Sequence, residues 1–366
     1  MKRNISPVYY GDYLQLDKIL SAQSLQSTRY GEPAHDEMLF VIVHQVYELW
    51  FKQVLHELNS VIDAFAQDSI PDQALISVVH RLNRIIQIQQ LMNDQISVME
   101  TMTPQQFLAF RDYLVPASGF QSIQFKRLEI SLGLKREFRI DFDKQSFYSR
   151  LKDADRELLE GLEAKPSLFD LVDEWLARMP LLKFNDFDFW KYYQQATDTM
   201  LSDDRQTIVT NTTLSDTERE QELRDWQSTR DNFDALFMQE NYNKLREQGK
   251  FRLSHKAMLA ALFIKQYSEE PIFNLPFQVI TALTEIDEKL TIWRYRHAMM
   301  VQRMLGTKIG TGGSSGHHYL KKTTESNRIF LDFFNMATFL LPKSMLPPLP
   351  DAISRYLGFY LSQGKS

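Results

Sequence analysis

The chain has 366 residues, a formal net charge of -5 and a hydrophobic fraction of 43%, values typical of a folded globular protein. It has no long Lys/Arg block, which argues against nucleic acid as a partner, and no run of about 18 apolar residues that could span a membrane. It has no cysteine, which excludes disulfides, iron–sulfur clusters, thiolate-ligated haem and C-x-x-C-H haem attachment. Any metal must therefore be held by His, Asp, Glu, Tyr or Met, and a cytoplasmic location fits.

The N-terminal third of the chain predicts an extended arm followed by two long helices. Residues 1–34 form the arm, with one short helix near Tyr13–Ser21. Apolar residues at intervals of three and four predict a helix from His35 to about Ala66. Pro71 begins a second helix that runs to about Glu100, because proline is favourable at a first helical position.

The middle of the chain predicts shorter helices separated by breaks. Thr103–Pro104 opens a third helix to about Leu114, and Ser118 is expected to cap a fourth. Residues 133–150 look irregular. Helices are then predicted at about 150–161, 166–178 and 186–202.

A charged helical insertion covers about 203–250, and its segment 214–249 is predicted as one amphipathic surface helix. Further helices are predicted near 254–268, from Pro276 to about Leu305, and over about 325–340. Strand alternation is scarce. The fold class is therefore all-α, a helical bundle without significant sheet, organised as a single domain over residues 1–366.

Two histidines lie in patterns that suit ligand binding as well as core packing. His44 lies on an apolar helix with Phe40 one turn before it and Glu48 one turn after it, which suits a planar heterocyclic ligand. His297 lies among Arg294, Arg296 and Arg303, whose charges would disfavour imidazolium and suit a neutral metal ligand. The arginines could equally be solvated or pair with haem propionates. The residues alone leave ligand and core roles open for both histidines.

Other histidine arrangements point away from a multi-histidine metal site. His317 and His318 are adjacent and would point about 100° apart on a helix. His35 and His44 are nine residues apart and lie on opposite helix faces. No H-E-x-x-H motif occurs, and the one E-x-x-H, Glu32–His35, is broken by Pro33, so a di-iron carboxylate bundle is poorly supported.

Two polar features could bind a charged substrate. The segment GTKIGTGGSSG, residues 306–316, is rich in glycine and hydroxyl residues, and such a loop either links helices or wraps an anion with N–H and O–H donors. Arg111 lies among aromatic neighbours before Pro116. It could pair with Asp112, or it could clamp a substrate carboxylate through two parallel hydrogen bonds.

Several segments, in this order, resemble one known family. They are YGDYLQLDKILSAQ, HDEMLFVIVHQVYELWFKQ, ETMTPQQFLAFRDYLVPASGFQS, WRYRHAMMVQRMLGTKIGTGGSSGHHYL and FFNMATFLLP. Together they are similar to the tryptophan 2,3-dioxygenases, most weakly over residues 133–250. The resemblance implies an all-α cytoplasmic homotetramer with one b-type haem per subunit. It also implies the insertion of both atoms of O2 across the indole C2–C3 bond of L-tryptophan. The product is N-formyl-L-kynurenine, in the first step of the kynurenine pathway.

The resemblance also implies roles for individual residues. His297 matches the proximal iron ligand, and His44 the distal histidine that hydrogen-bonds the substrate indole N–H. Arg111 matches the carboxylate clamp and Thr311 the loop residue that closes over the substrate. The residues that match the pocket walls are Phe40, Phe107, Leu114 and Phe125.

Three further positions are implied at the edges of the pocket. Ser118, like Phe125, matches a residue beside the haem. Tyr10 and Tyr13 match the arm that reaches into a neighbouring subunit's pocket.

Two rival hypotheses stay open on the sequence. The first is a related haem enzyme that acts on a substituted indole or another aromatic substrate. The second is a non-catalytic helical haem or ligand sensor, against which the carboxylate clamp argues because a gas sensor has no use for Arg111.

Overall fold

A computed structural model describes residues 6–136, 139, 148, 151–179, 183–184, 187–306, 320, 324 and 326–349. In the N-terminal part three short helices precede four longer ones. Their bounds are α1 Tyr10–Leu14, α2 Leu16–Leu20, α3 Gln26–Tyr30, α4 Glu37–Phe65, α5 Asp72–Met99, α6 Pro104–Arg111 and α7 Ile123–Leu132. The predicted long helices of this part are confirmed within a few residues.

The remaining described helices follow in the same all-helical arrangement. Their bounds are α8 Asp153–Glu163, α9 Leu168–Ala177, α10 Phe189–Thr210, α11 Asp216–Phe237, α12 Gln239–Glu247, α13 His255–Gln266, α14 Asn274–Leu305 and α15 Leu331–Asn335. Two strands of two residues each, β1 Lys183–Phe184 and β2 Phe187–Asp188, pair antiparallel. The all-α prediction is confirmed, because the described chain holds no larger sheet.

The core is built on α4, α5 and α14. Helix α5 packs along both of the others, and its fully buried residues include Val78 and Leu82. On α14 the buried face includes Leu283 and Ile286. The long helices form because their apolar residues recur every three or four positions, and burying that face against two neighbours stabilises them.

The ends of several helices are set by local side-chain caps. The Thr103 hydroxyl accepts the Gln106 N–H at 3.3 Å, the Gln106 side chain accepts the Thr103 N–H at 2.7 Å, and Pro104 begins α6. The prediction that Ser118 caps the fourth helix is wrong. Ser118 caps a 3-10 turn, Gly119–Gln121, and Ser122 caps α7. Both serines directly precede helical residues, so the sequence pattern does not show which of them caps the 3-10 turn and which caps the α-helix.

The charged insertion is two helices, where the sequence predicts one over 214–249. Helix α11 ends at Phe237, Met238 is extended, and α12 begins at Gln239. No glycine or proline marks the break. Tyr242 is fully buried, its hydroxyl donates to the Leu253 carbonyl at 3.1 Å, and its ring stacks on Phe251. The turn at Met238 thus follows from packing α12 against the chain that comes after it.

The C-terminal part also differs from its prediction. The helix predicted over about 325–340 is a five-residue helix, α15, followed by a 3-10 turn, Met336–Phe339.

The described helices include none that combines the length and apolar content needed to cross a bilayer. The single-domain organisation stays a prediction.

Candidate active site

An aromatic corner forms where α4 crosses α6. The Phe40 ring lies 4.1 Å from the His44 ring, centroid to centroid, and 5.7 Å from the Phe107 ring. Phe110, which is fully buried, contacts both Phe40 and Phe107 edge-on at 5.5 Å. Such tilted and edge-to-face contacts are the favourable geometries of aromatic pairs, so the corner presents a fixed apolar wall next to an imidazole.

A backbone hydrogen bond fixes the tautomer of His44. Its Nδ1 lies 2.7 Å from the Phe40 carbonyl oxygen, which can only accept, so Nδ1 carries the proton. Burial among protein atoms lowers the pKa of His44, while this hydrogen bond and the charge of Glu48 oppose the shift. The neutral imidazole therefore keeps a lone pair on Nε2, which can accept a hydrogen bond from a ligand.

Glu48 joins α4 to the start of α7. The Ser122 hydroxyl donates to its carboxylate at 2.6 Å, and the Gln124 amide donates to the same carboxylate at 2.9 Å and to the Glu48 carbonyl at 2.7 Å. Ser122 also caps α7 by accepting the Phe125 N–H at 3.2 Å. The Glu48 side chain of α4 thus binds the residue that caps α7, the helix that carries Phe125.

The second histidine, His297, lies on α14 and packs against a different set of aromatic rings. The Trp293 ring, one turn earlier on the same helix, is parallel to the His297 ring at 5.2 Å. Phe125 contacts Trp293 at 5.1 Å and Phe51 contacts Phe125 at 5.4 Å. The rings beside His297 thus come from α4, α7 and α14, and α4 also carries His44.

The two histidines lie close to each other. Burial, together with a positive charge on His44, lowers the pKa of His297 to about 4. Protein atoms surround both imidazoles, yet His44 keeps much of its accessible surface and His297 is only half-buried. Both residues therefore keep surface that a ligand can contact.

Two arginines beside His297 form hydrogen bonds and ion pairs with other parts of the protein. Arg294 is buried and donates to Glu129 of α7 at 2.6 Å and to the Asn327 carbonyl at 2.8 Å. Arg296 donates to Glu100 at 3.3 Å and to the Asn93 carbonyl. Both arginines thus pair within the protein, and because they are two residues apart on the helix, they reach different neighbours.

The carboxylate-clamp candidate ends α6. Arg111 is the last residue of the helix and is half-buried, and Asp112, its alternative partner, is exposed in the following 3-10 turn. Leu114 belongs to that turn and packs partly against the core. The helix predicted to run to about Leu114 therefore ends at Arg111 as an α-helix, and Leu114 follows in the 3-10 turn.

Other predicted site residues are separated from this cluster or lie beyond what the structure describes. Ser118 is half-buried at the cap of its 3-10 turn. Thr311 and the His317–His318 pair lie outside the described residues, as does most of the 306–316 loop. Tyr10 and Tyr13 are exposed, at 72% and 74% of their surface.

Sequence reasoning missed three members of the ring cluster. Phe110, Phe51 and Trp293 each contact a predicted site residue or its direct neighbour. A signal existed: Trp293 is four residues before His297 and Phe110 is three after Phe107, and such spacings place side chains on the same helix face.

Comparison with known proteins gives one consistent result. The family model described as "Tryptophan 2,3-dioxygenase" matches residues 2–340. The tryptophan 2,3-dioxygenase of Alteromonas mediterranea is 78% identical over 361 residues, which cover 99% of this chain and 100% of the relative. That of Bdellovibrio bacteriovorus is 48% identical, covering 97% and 99%, and that of Dictyostelium discoideum 46%, covering 96% and 88%. The chain belongs to the tryptophan 2,3-dioxygenase family.

Proposed function

We propose that the chain performs the reaction of its family, the opening of the indole ring of L-tryptophan by O2 to give N-formyl-L-kynurenine, with one b-type haem per subunit. The observation that carries the proposal is the pairing of His44 and His297. These residues come from helices far apart in the sequence, their charges interact, and each packs against an aromatic ring of its own helix. The all-α fold of the described residues supports the proposal, as does the similarity to a relative over nearly the whole length of both chains.

The residues present fit a haem. A haem iron needs one neutral axial base, and His297 is an imidazole that burial keeps uncharged at neutral pH. The flat macrocycle needs apolar surroundings, which Phe51, Phe125 and Trp293 supply. His297 would hold the iron, with Phe125 and Ser118 beside the ring. When bound, the haem supplies O2 binding and activation, chemistry that no side chain provides.

The chain's own residues orient the substrate. The lone pair on His44 Nε2 is free to accept the indole N–H, because Nδ1 is already bonded to the Phe40 carbonyl. Phe40 and Phe107 offer the flat indole an aromatic wall. In this assignment His44 orients the ring and need not remove its proton. Its contribution is the placement of the C2–C3 bond and the exclusion of water.

The amino acid end of tryptophan needs an anion clamp. Arg111 follows Phe107 by one helical turn, so the carboxylate and the indole wall would be held by one helix. A guanidinium binds a carboxylate through two parallel charge-assisted hydrogen bonds. We assign this role to Arg111, with Leu114 lining the pocket and Thr311 closing it.

We also propose a homotetramer in which the N-terminal arm completes a neighbour's pocket. The arm is tied to its own chain at its base, where Glu37 accepts the N–H groups of Gln26 and Ser27 at 2.8 and 2.9 Å. Beyond that point Tyr10 and Tyr13 are exposed. Two exposed aromatic rings on an anchored arm are suited to docking on a second copy. A cytoplasmic location stays a prediction.

The absorption spectrum of the purified protein tests cofactor and substrate class together. We expect a Soret band that changes on reduction with dithionite and again on adding L-tryptophan, with O2 consumed and N-formylkynurenine formed. Haem binding without O2 consumption would favour a sensor. Faster turnover of a substituted tryptophan than of L-tryptophan would favour the related enzyme.

The carboxylate clamp has a separate test. Removing one partner of a desolvated charge pair costs about 2–5 kcal/mol, so Arg111→Leu should lower kcat/KM for tryptophan by about 30-fold or more. Arg111→Lys should recover part of the loss, because lysine supplies charge without the fork. The matched control is Arg224→Leu, at an exposed position of α11. Equal losses for tryptophan and for 3-methylindole, which has no carboxylate, would make Arg111 structural.

A further inference from the structure

The indole of Trp293 covers one face of the imidazole of His297. Their ring centroids lie 5.2 Å apart and their planes differ by 1°, which is an offset parallel stack. The two residues are one helical turn apart on α14, so the contact depends only on the backbone of a long helix and on side-chain rotamers. An imidazole with one face covered in this way cannot turn about its Cβ–Cγ bond without a clash.

Three rings from other helices hold Trp293 in place. Phe125 of α7 lies 5.1 Å away, and Tyr47 and Phe51 of α4 contact the indole edge-on at 6.0 and 6.3 Å. Tyr47 is itself fixed, since its hydroxyl donates to the Met92 carbonyl of α5 at 2.8 Å. Trp293 is therefore held by neighbours on two other helices, one of which is in turn tied to a third.

The indole N–H of Trp293 is buried and has no hydrogen-bond partner in the described part of the chain. Burial raises the pKa of Tyr47 to about 12, and an interaction with the Trp293 side chain opposes part of the rise. A buried donor without a well-formed hydrogen bond contributes little to stability. The fit of Trp293 therefore depends mainly on the size and flatness of its ring.

We propose that Trp293 is a positioning residue for the axial ligand: its ring fixes the plane of His297 and so the direction in which the ligand nitrogen meets the haem iron. This inference rests on the proposed function, in which His297 is the ligand. It goes beyond that function by assigning the orientation of the ligand to a residue that touches neither iron nor substrate.

The test compares variants that keep a flat ring with variants that lose it. In Trp293→Phe the N–H and part of the ring are lost but a flat ring remains, so the iron–histidine stretching band in the Raman spectrum of the ferrous protein should stay near its wild-type position. In Trp293→Leu that band should shift and broaden. Transfer of haem to apomyoglobin should quicken by about 10-fold or more, since residues that orient a metal ligand contribute 10- to 100-fold to affinity.

Trp190 provides a matched control. It is also half-buried, its Nε1 also has no partner in the described chain, and its ring contacts Phe189 at 4.9 Å and Tyr193 at 5.4 Å. Trp190→Leu should leave the iron–histidine band unchanged. If Trp293→Leu does not fold, Trp293→Met keeps most of the volume without the flat face and should shift the band in the same way.

The outcomes separate this inference from the proposed function. Wild-type bands and haem-transfer rates in both Trp293→Leu and Trp293→Met, with haem lost from His297→Ala, would overturn the role of Trp293 alone. Full haem retention and an unchanged band in His297→Ala would overturn the ligand assignment itself.

Discussion

The buried ion pair between Glu129 and Arg294 joins two walls of the site. Glu129 lies on α7 four residues after Phe125, and Arg294 lies on α14 three residues before His297. The two side chains meet at 2.6 Å with 7% and 5% of their surface exposed. We predict that Glu129→Leu strongly destabilises the protein and loosens the pocket that these helices form.

The expected magnitude follows from what the substitution leaves behind. Arg294 would stay charged and buried, and it would still donate to the Asn327 carbonyl at 2.8 Å. Breaking a buried pair in this way costs about 3–5 kcal/mol. In the double variant Glu129→Leu/Arg294→Met no charge is stranded, and the main loss is the hydrogen bond to Asn327, about 1 kcal/mol. The double variant should thus be more stable than Glu129→Leu alone.

Urea unfolding of the purified protein measures both effects. One fixed protein concentration is used, because the stability of the proposed homotetramer would depend on concentration. The control is the exposed pair Arg224–Glu220 on α11, with 3.8 Å between Nη1 and Oε2 and 61% and 73% of the side chains exposed. Glu220→Leu should change the free energy of unfolding by less than about 1 kcal/mol.

Two results would refute the reasoning. A loss below about 1 kcal/mol in Glu129→Leu would mean that water reaches Arg294. A double variant as unstable as the sum of the two single variants would mean that the two side chains are not coupled.

Three further predictions concern the pocket directly. His44→Ala should keep haem and lower turnover about tenfold, because one positioned hydrogen bond of about 1–2 kcal/mol is lost; complete inactivity with normal substrate binding would make His44 an essential base. Glu48→Gln should raise KM and destabilise the protein by about 1–2 kcal/mol, as seen in urea unfolding, because the Ser122 and Gln124 hydrogen bonds lose their charged acceptor; an unchanged KM would separate Glu48 from the pocket. Deleting residues 1–20 should break the assembly or raise KM, as followed by sedimentation and kinetics, and a fully active monomer would contradict the shared pocket.

The long helices were predictable because they depend on local periodicity. The helices containing His44 and His297 were expected at 35–66 and 276–305 and are found at Glu37–Phe65 and Asn274–Leu305. The shorter elements were predicted less well. No glycine or proline marks the break at Met238 or the change from α-helix to 3-10 turn within residues 331–339. Both regions contact residues distant in the chain: Tyr242 donates to the Leu253 carbonyl, Asp332 accepts from the Leu253 N–H, and Phe339 packs on Phe233.

The candidate site divides in the same way. Local sequence patterns predict the family, the helices that carry the site and the two histidines with their flanking rings, because motif residues on one helix keep their spacing whatever that helix packs against. Helix packing alone shows that Arg294 pairs with Glu129, that Glu48 ties α4 to α7 and that Trp293 covers His297 within a cage of rings. Most of these contacts join helices separated by tens to hundreds of residues. Which of several similar side chains meet there depends on how the helices pack, which local sequence patterns do not encode.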